Sequence, residues 1–350
     1  MRPVLISLLF LAFAASASAP DARSQSRDEQ TIVLPLELMA AQPATLAVLK
    51  ANGHVASGVK VVLSNGEGVT TDESGRAHFL APPDAGLMFA RIPGAEVREA
   101  ADVLPQGSSS GSLQVTRIPK FISPESRFAI RGSGFQGDAD RNRVEIGEKA
   151  LLVLASSPVE LIVIPPVGAL PGPADLVTAE GTTEVAVPIT LVDVASDASD
   201  VQIHRGKKVT IVLRARGTSE SLDLEVRSLS PRVAQFARGD EVRVRTTGGS
   251  DNSAMIQLKG LSAGPFSFAV SLEDTSATID SPVARNFLEA AREIAPPDAA
   301  NRVEAILKEL QGDTVDAAKL RNEVQSIPSQ NEPSDFQALI RCALQALAGE

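Results

Sequence analysis

The fold of this chain is decided by the stretch FAIRGSGF, residues 128–135. Phe128 and Ile130 lie two residues apart, which is the period of a half-buried strand. Gly134 lets the chain leave that strand sharply, and Phe135 is expected to plug one end of a sandwich. A closing strand is predicted where apolar residues alternate again, at Val185, Val187, Ile189 and Leu191. The segment therefore predicts a small antiparallel β-sandwich.

The motifs around this stretch follow one another in a definite order. A Pro-x-Ser turn stands at 124–126, the Gly-x-Gly-Phe strand end at 132–135, and a Pro-Gly-x-x-Asp hairpin at 171–175. In this order they resemble an IPT/TIG domain, an Ig-like sandwich, over residues 118–192. Glu125 departs from the family pattern, in which a glycine often precedes the serine.

Residues 31–105 carry the same strand period. Apolar residues alternate at Leu34, Leu36 and Leu38, then at Val59, Val61 and Leu63, with turn clusters such as DESG at 72–75 between later runs. The segment ASGVKVVL at 56–63, followed by VTTDESGRAHF at 69–79, resembles the carboxypeptidase-regulatory-like or bacterial Ig-like modules of exported proteins. That resemblance implies a spacer or binding unit and not a catalyst.

Three further segments complete the organisation. A Gly/Ser-rich stretch at 106–117 is interpreted as a linker or long loop. Residues 193–275 hold four alternating runs and predict a third Ig-like sandwich. Residues 282–350 change to helical spacing, as at Val283 and Phe287, and predict helices that bury their apolar stripes in a small bundle or against the third sandwich. A helix surface that binds a partner stays open as the alternative.

The predicted fold class is therefore mainly β, with tandem Ig-like β-sandwiches followed by a small C-terminal α-helical region. With 43% hydrophobic and 22% charged residues, the composition is that of a folded chain and not a disordered one.

The first residues have the pattern of an export signal. Arg2 supplies a positive start, an apolar run covers 4–15, and Ala17 and Ala19 provide the small residues that a signal peptidase requires. We expect residues 1–19 to be removed and residues 20–30 to form a polar leader. The run is shorter than the roughly 17–25 residues of a membrane span. The expected location is therefore periplasmic or secreted, with no membrane span after cleavage.

Several residue types are scarce, which disfavours whole classes of site. The chain has no Trp, no Tyr, one Cys and three His. A disulfide network, a Cys/His zinc site and an aromatic-lined cleft are all poorly supported by these counts. Cys342 is interpreted as a small buried hydrophobe on a helix, and a disulfide-linked dimer stays open as the alternative.

Four short motifs match known functional patterns, and none of them predicts a chemistry. GSSSG at 107–111 matches a hydrolase nucleophile elbow, and GSGFQG at 132–137 matches a dinucleotide loop, but no helix is predicted to follow either one. Asp138, Asp140 and Asn142 are spaced like the first calcium ligands of an EF-hand, yet Arg143 and Lys149 stand where glycine and glutamate are needed. A solvated loop is favoured there. The integrin-type tripeptide RGD at 238–240 is the fourth motif, and no function is predicted from it.

A possible basic stripe runs along the third segment. It consists of Arg214, Arg216, Arg243 and Arg245. Acidic residues are interspersed and the chain carries a net charge of −10, so a solvated strand face is favoured over binding to an acidic polymer. No nucleic acid partner is predicted.

The sequence favours an exported, non-catalytic structural or binding protein of the cell envelope, whose partner is a protein or another envelope component. No catalytic, cofactor-binding or metal-binding residue is assigned, and no cofactor is expected. A carbohydrate-binding accessory protein is the first alternative, although only phenylalanines are available to stack on a sugar. A hydrolase with a site between domains, using His54, His78 or His204, is the second.

Overall fold

The computed structural model describes residues 30–95, 98–107, 112–197, 202–237, 239–273, 281–311, 317–327 and 333–348. Strands dominate these ranges, and four helices close the chain. The predicted fold class is confirmed: Ig-like β-sandwiches in tandem, followed by a small helical region. The export signal, the leader and most of the GSSSG motif lie outside the described residues.

The first sandwich packs two sheets face to face. Its strands are β1 (Thr31–Val33), β2 (Glu37–Met39), β3 (Pro43–Leu49), β4 (Lys60–Leu63), β5 (Gly68–Thr70), β6 (Arg76–Leu80), β7 (Gly86–Arg91) and β8 (Arg98–Leu104). β3 pairs with β1 and β6, while the second sheet has the order β2-β8-β7-β4-β5. The leucine run at 34–38 is therefore not one strand, because the chain crosses from one sheet to the other between β1 and β2. Leu38, Leu46, Val61 and Met88 fill the core between the sheets.

A tight turn before β6 shows how the sequence fixes this sandwich locally. The Asp72 carboxylate accepts hydrogen bonds from the backbone N–H groups of Ser74 (2.8 Å) and Arg76 (3.1 Å). The hydrogen bond from the Ser74 hydroxyl is the largest of the effects that lower the pKa of Asp72. Gly75 has φ +72°, and a Cβ there would lie 2.6 Å from Cβ of Val55, so glycine is required at this position.

The second sandwich is built around the FAIRGSGF stretch. Its strands are β9 (Gln114–Arg117), β10 (Phe121–Ile122), β11 (Phe128–Ser133), β12 (Arg143–Ile146), β13 (Lys149–Ala150), β14 (Leu152–Ser156), β15 (Glu160–Ile164), β16 (Gly172–Glu180) and β17 (Thr183–Leu191). One sheet has the order β14-β15-β11-β9 and the other β10-β17-β16-β12-β13. Residues 114–117, interpreted from sequence as linker, thus form β9 beside β11. Gly134 has φ +81° and Phe135 is buried in the core, as the sequence predicts.

The first two sandwiches share a sheet. Thr45 of β3 pairs with Ser156 of β14, so β1 and β3 continue into β14, β15 and β11. Apolar residues from both modules are buried together on this continuous surface: Val33, Ala47, Leu49, Leu154 and Ala155. The two modules are therefore joined by backbone pairing and by a small core of their own.

The third sandwich also consists of two facing sheets. Its strands are β18 (Asp193–Ser196), β19 (Gln202–Ile203), β20 (Lys208–Arg216), β21 (Asp223–Ser228), β22 (Ala234–Phe236), β23 (Glu241–Arg245), β24 (Ser253–Gly260), β25 (Gly264–Pro265) and β26 (Phe268–Glu273). The sheet β18-β20-β24-β22 faces the sheet β23-β21-β26, and β19 pairs with β25. Ile211, Leu213, Leu224 and Val226 are fully buried between the two.

The C-terminal helices fold back to the first sandwich. They are α1 (Ser281–Ile294), α2 (Pro297–Glu309), α3 (Ala317–Gln325) and α4 (Ser334–Ala348). Their apolar stripes bury one another around Phe287 and Phe336, and this core also includes Leu36 and Ala100 of the first sandwich. The sequence predicted that these helices bury their stripes in a small bundle or against the third sandwich. The helices do bury their stripes against one another, and the sandwich surface that α1 and α4 cover is β8 of the first sandwich.

Within the described ranges, none of the helices is long and apolar enough to cross a membrane.

Candidate functional site

A small cavity lies where the first sandwich, the second sandwich and α4 meet. It has a volume of about 90 Å³, and its wall includes Leu36, Phe128 and Gln345 from those three parts of the chain. Three charged residues also line it: Glu99, Arg127 and Glu160. Two buried carboxylates in one cavity are the arrangement in the described residues that most resembles a chemical site.

Glu160 joins the second sandwich to the first. Its side chain is fully buried at the start of β15, where one oxygen accepts a hydrogen bond from Arg131 Nε at 3.2 Å. The other oxygen accepts from the backbone N–H of Glu37 in β2 at 3.0 Å. Burial raises the pKa of Glu160, although the Arg131 guanidinium opposes the rise. The carboxylate thus ties together two modules inside the protein.

Glu99 joins the first sandwich to the helical tail. It lies on β8, and its carboxylate is 3.2 Å from Arg341 Nη2 of α4. Burial raises the pKa of Glu99, against the opposing charges of Arg341 and Arg127. Beside it, Arg341 also donates to the backbone carbonyl of Arg98 at 2.6 Å. This pair therefore fastens α4 to the sheet on which it packs.

Cys342 lies in the same contact. Its thiol is fully buried and donates to the Ala100 carbonyl at 3.4 Å, with a Glu99 oxygen 3.9 Å away. Burial, followed by the negative charge of Glu99, raises the pKa of the thiol. The interpretation as a small buried hydrophobe fits this position, and a disulfide between two copies would require α4 to leave the sheet.

The residues that line this cavity fit a structural role, in which they hold the modules together, better than a catalytic role. Pockets for small organic ligands usually measure about 300–1,000 Å³, several times the volume found here. Both carboxylates are already engaged by arginines, and Glu160 also accepts a backbone hydrogen bond. Sequence analysis missed these residues. A sequence feature that could have indicated Glu160 is the presence of one charged residue in each of two apolar strands. These residues are Arg131 and Glu160, and they are directly opposite each other where β11 pairs with β15.

The loop with calcium-like spacing is occupied by internal contacts. Asp138 caps a three-residue 3₁₀ helix at Ala139–Arg141, and Asp140 forms an ion pair with Arg76 of the first sandwich at 2.6 Å. The Asn142 side chain donates to the carbonyls of Gln136 (2.7 Å) and Asp138 (2.9 Å). The three side chains are thus engaged in contacts within the loop and between the first and second sandwiches.

The GSGFQG match is part of the same contact. Its last glycine, Gly137, approaches β3 so closely that a Cβ would lie 1.9 Å from the Pro43 carbonyl oxygen. The Gly137 carbonyl accepts hydrogen bonds from the Thr45 and Ser156 hydroxyls, both at 2.7 Å. The helix that follows has only three residues, so the loop lacks the helix N-terminus that binds a pyrophosphate.

The three histidines are exposed and lie apart. His54 is in a turn beside β3, His78 is on β6, and His204 precedes β20 in the third sandwich. His78 contacts Thr45 Oγ1 through Nδ1 at 3.0 Å. Because the Thr45 hydroxyl proton goes to Gly137, His78 must act as the donor in this contact. The structure does not bring these histidines together.

The four arginines of the possible basic stripe are paired with acids of the third sandwich. Arg214 lies 2.6 Å from Asp251, and Arg216 lies 3.2 Å from Asp193. Arg243 and Arg245 of β23 face Glu225 and Asp223 of the neighbouring strand β21, at 3.5 and 3.8 Å. Their charge is thus balanced locally, which favours the interpretation as a solvated strand face. Arg238 of the tripeptide lies outside the described residues.

One loop of the second sandwich displays apolar side chains to solvent. Between β15 and β16, Val167 is 101% exposed and Leu170 is 81% exposed. Prolines at 165, 166 and 171 restrict the loop, and Lys149 donates to the Gly168 carbonyl at 3.1 Å. The loop is therefore held in shape while its apolar groups stay in water, and it is the surface feature best suited to recognition.

A wider groove of about 530 Å³ lies between the third sandwich and α3. Phe236 is buried at its wall and Met255 is exposed. Arg243 reaches across it to Asn322 and, at 2.6 Å, to Gln325. Arg243 thus links α3 to β23 across the groove.

No family model matches the chain, and no curated protein does either. Among solved structures, the chain is similar to the N-terminal four Ig domains of Dscam1 isoform 7.44, with 13% identity, a TM-score of 0.22, and coverage of 68% of this chain and 73% of that one. Domains A168–A170 of titin match with 12% identity and a TM-score of 0.17, over 71% of this chain and 93% of that one. Extracellular domains 3–5 of Drosophila OTK match with 11% identity and a TM-score of 0.19, over 67% and 95%. All three are multidomain structures, and the β-sandwich architecture of this chain is defined by its own sheets.

Proposed function

We propose that this chain is an exported, non-catalytic binding and spacer protein of a bacterial cell envelope. Its second sandwich is an IPT/TIG module at residues 118–192, preceded by a carboxypeptidase-regulatory-like or bacterial Ig-like module at 31–105. The export signal at 1–19 supports the location, and the motif order supports the two assignments. On this proposal the sandwiches hold recognition loops at fixed distances from one another.

The apolar loop between β15 and β16 carries the binding role. Burying a valine or leucine side chain completely contributes about 1.5–3 kcal/mol, so Val167 and Leu170 together supply about 3–6 kcal/mol to a complex. Because the prolines already restrict the loop, it loses less conformational entropy when a partner binds. The absence of Trp and Tyr removes two of the residue types that dominate tight interfaces, so the proposal describes a partner of modest affinity.

The binding role is tested by affinity capture from envelope extracts with the full mature chain as bait. We expect a partner to be retained by the unmodified protein and lost when Val167→Asp and Leu170→Asp are combined. Leu229→Asp is the matched control, because Leu229 is also exposed but lies on the third sandwich. If the unmodified protein retains nothing above background, the binding role fails. If the loop variant retains the partner fully, recognition lies elsewhere on the surface.

The location is tested separately with residues 1–30 fused to a reporter enzyme that is active only outside the cytoplasm. We expect activity from the natural segment and a large loss with Leu9→Arg, because a charge interrupts the apolar run. Gln25→Arg adds the same charge outside that run and is expected to leave export intact. Equal reporter activity from all three fusions would contradict the export proposal.

A further inference from the structure

We propose that two copies of this chain associate through the outer edge of β26, with the two strands antiparallel about Val270. The pairing joins the three-stranded sheets of two third sandwiches into one six-stranded sheet. The proposal concerns self-association and is independent of the partner proposed above.

The sheet that contains β26 is narrow and ends there. β21 lies between β23 and β26, and within the described ranges β26 pairs with β21 alone. The apolar side chains of the central strand, such as Leu224 and Val226, are fully buried, whereas Phe268, Val270 and Leu272 of β26 are only partly buried, as are the apolar residues of β23. The core of this sandwich is therefore incompletely covered along its outer strands, of which β26 is one.

The hydrogen-bonding groups of β26 alternate in direction, and the pattern shows which ones face outward. Leu229 N donates to Ser267 O at 3.0 Å, which makes Ser267 part of a hydrogen-bonded pair with the β21 side. In an antiparallel ladder such pairs recur at every second residue, so Ala269 and Ser271 also bond toward β21. The N–H and C=O groups of Phe268, Val270 and Leu272 then point to the free edge. The bonds from Thr246 N to Leu222 O and from Ser228 N to Asp240 O fit the same alternation on the opposite side of β21.

Over residues 268–272, and within the part of the chain that the structure describes, the β26 edge lacks the features that normally prevent strand pairing. Natural edge strands are protected by charged side chains, prolines, bulges or a covering element. The opposite edge strand of this sheet, β23, has the charged outward residues Glu241, Arg243 and Arg245, and Arg243 also bonds Gln325 of α3. On β26 the outward positions between Phe268 and Leu272 are Ala269 and Ser271, which are small and uncharged, and the charged Glu273 stands only at the end of the strand.

A second copy of β26 fits this edge without conflict. Directly opposed residues of two antiparallel strands point to the same face of the sheet. With Val270 opposite Val270, residues that face the core on one strand therefore oppose residues that face the core on the other. Phe268 then lies opposite Leu272 of the other copy, Val270 opposite Val270, and Ala269 opposite Ser271. Each apolar residue meets an apolar residue, no like charges meet within 268–272, and the outward-pointing backbone groups form hydrogen-bonded pairs that exchange both N–H···O bonds.

The association is tested by sedimentation velocity on the full mature chain, with interference optics because the protein has no Trp or Tyr. We expect a concentration-dependent dimer. Ser271→Lys places a charge on the outward face of the edge and is expected to raise the dimer dissociation constant at least tenfold, with an unchanged far-UV circular dichroism spectrum. Gln257→Lys is the control, since Gln257 is exposed on β24 in the other sheet. A wild-type protein that stays monomeric at every soluble concentration overturns the proposal.

Cysteine crosslinking tests the register. Val270 is the residue that faces its own copy, and opposed residues of a hydrogen-bonded pair have Cα atoms about 5.5 Å apart, within the range of a disulfide. Val270→Cys is therefore expected to give a disulfide-linked dimer under mild oxidation. Leu272→Cys, which faces Phe268, and Val244→Cys on the opposite edge strand β23 are expected to give none. A dimer that survives Ser271→Lys, or crosslinking equal at all three positions, overturns this mode of pairing.

Discussion

Replacing Glu160 by glutamine tests whether the first two sandwiches are joined by a buried charge. The carboxylate is fully buried and engages Arg131 Nε at 3.2 Å and Glu37 N at 3.0 Å. Glutamine keeps the shape of the side chain but removes its charge and turns one of the two acceptors into a donor. Removing one partner of a buried ion pair costs about 3–5 kcal/mol, because the other charge stays in the protein interior. We therefore expect Glu160→Gln to lower the free energy of unfolding by about 3 kcal/mol or more.

The measurement is urea unfolding followed by far-UV circular dichroism, since the chain offers no Trp or Tyr fluorescence. With a denaturant slope of about 3 kcal/mol per molar, the expected loss moves the transition midpoint down by about 1 M. Hydrogen exchange at the Glu37 amide gives a local readout, because this N–H loses its carboxylate acceptor. Faster exchange at the Glu37 amide, together with unchanged exchange in the third sandwich, would show that the destabilisation is local to the contact between the first two sandwiches.

A double variant provides the matched control. When a buried ion pair is replaced by apolar residues of similar size, stability is often unchanged or increased by about 1–4 kcal/mol. Glu160→Met combined with Arg131→Met is therefore expected to recover most of the loss caused by Glu160→Gln. A midpoint shift below about 0.3 M for Glu160→Gln, or a double variant less stable than the single one, would refute the reasoning.

Three further predictions concern the same contacts. Burial raises the pKa of Glu99 above its ordinary 4.5, so the folded protein holds this proton at higher pH than the unfolded chain. The contribution of this proton to the free energy of unfolding is fully present below pH 4.5 and is lost as the pH rises through the folded-state pKa. Glu99→Gln is expected to remove this pH-dependent contribution, which is measured by urea unfolding at a series of pH values from 4 upward. An unchanged pH dependence would contradict a buried Glu99. Gly137→Val is expected to lower stability by about 1–3 kcal/mol in the same assay, because its Cβ would overlap the Pro43 carbonyl, and equal stability would show that the loop does not approach β3. The Cys342 thiol, buried and with a raised pKa, is expected to react with a thiol reagent at a rate set by unfolding, and rapid labelling of the native protein would mean that α4 does not cover it.

Local patterns predicted many of the strands and helices. The alternation at 209–213 and 222–226 marks β20 and β21, and the helical spacing of Val283 and Phe287 marks α1. These signals are local because a strand or helix buries one face at a fixed period. Gly134 shows the same agreement for a single residue, since a turn that needs a positive φ selects glycine.

The contacts between modules were not predictable in this way. Thr45 pairs with Ser156, and Glu160 receives the backbone N–H of Glu37, across more than a hundred residues of sequence. Nothing in the local period distinguishes a strand edge that continues into another module from one that ends in solvent. The local patterns therefore predict separate modules, and neither the shared sheet nor the two buried carboxylates follows from them.

The return of the helical tail to the first sandwich has a consequence for how the chain folds. Arg341 bonds the Arg98 carbonyl across 243 residues, and α4 completes the apolar core around Leu36 and Ala100. During synthesis this surface of the first sandwich stays uncovered until the last helix is available. Contacts of such long sequence separation form slowly, and the uncovered surface is prone to aggregate in the interval. We therefore expect a slow final folding phase that tracks the docking of α4, and a requirement for the early sandwiches to be shielded until the whole chain has emerged.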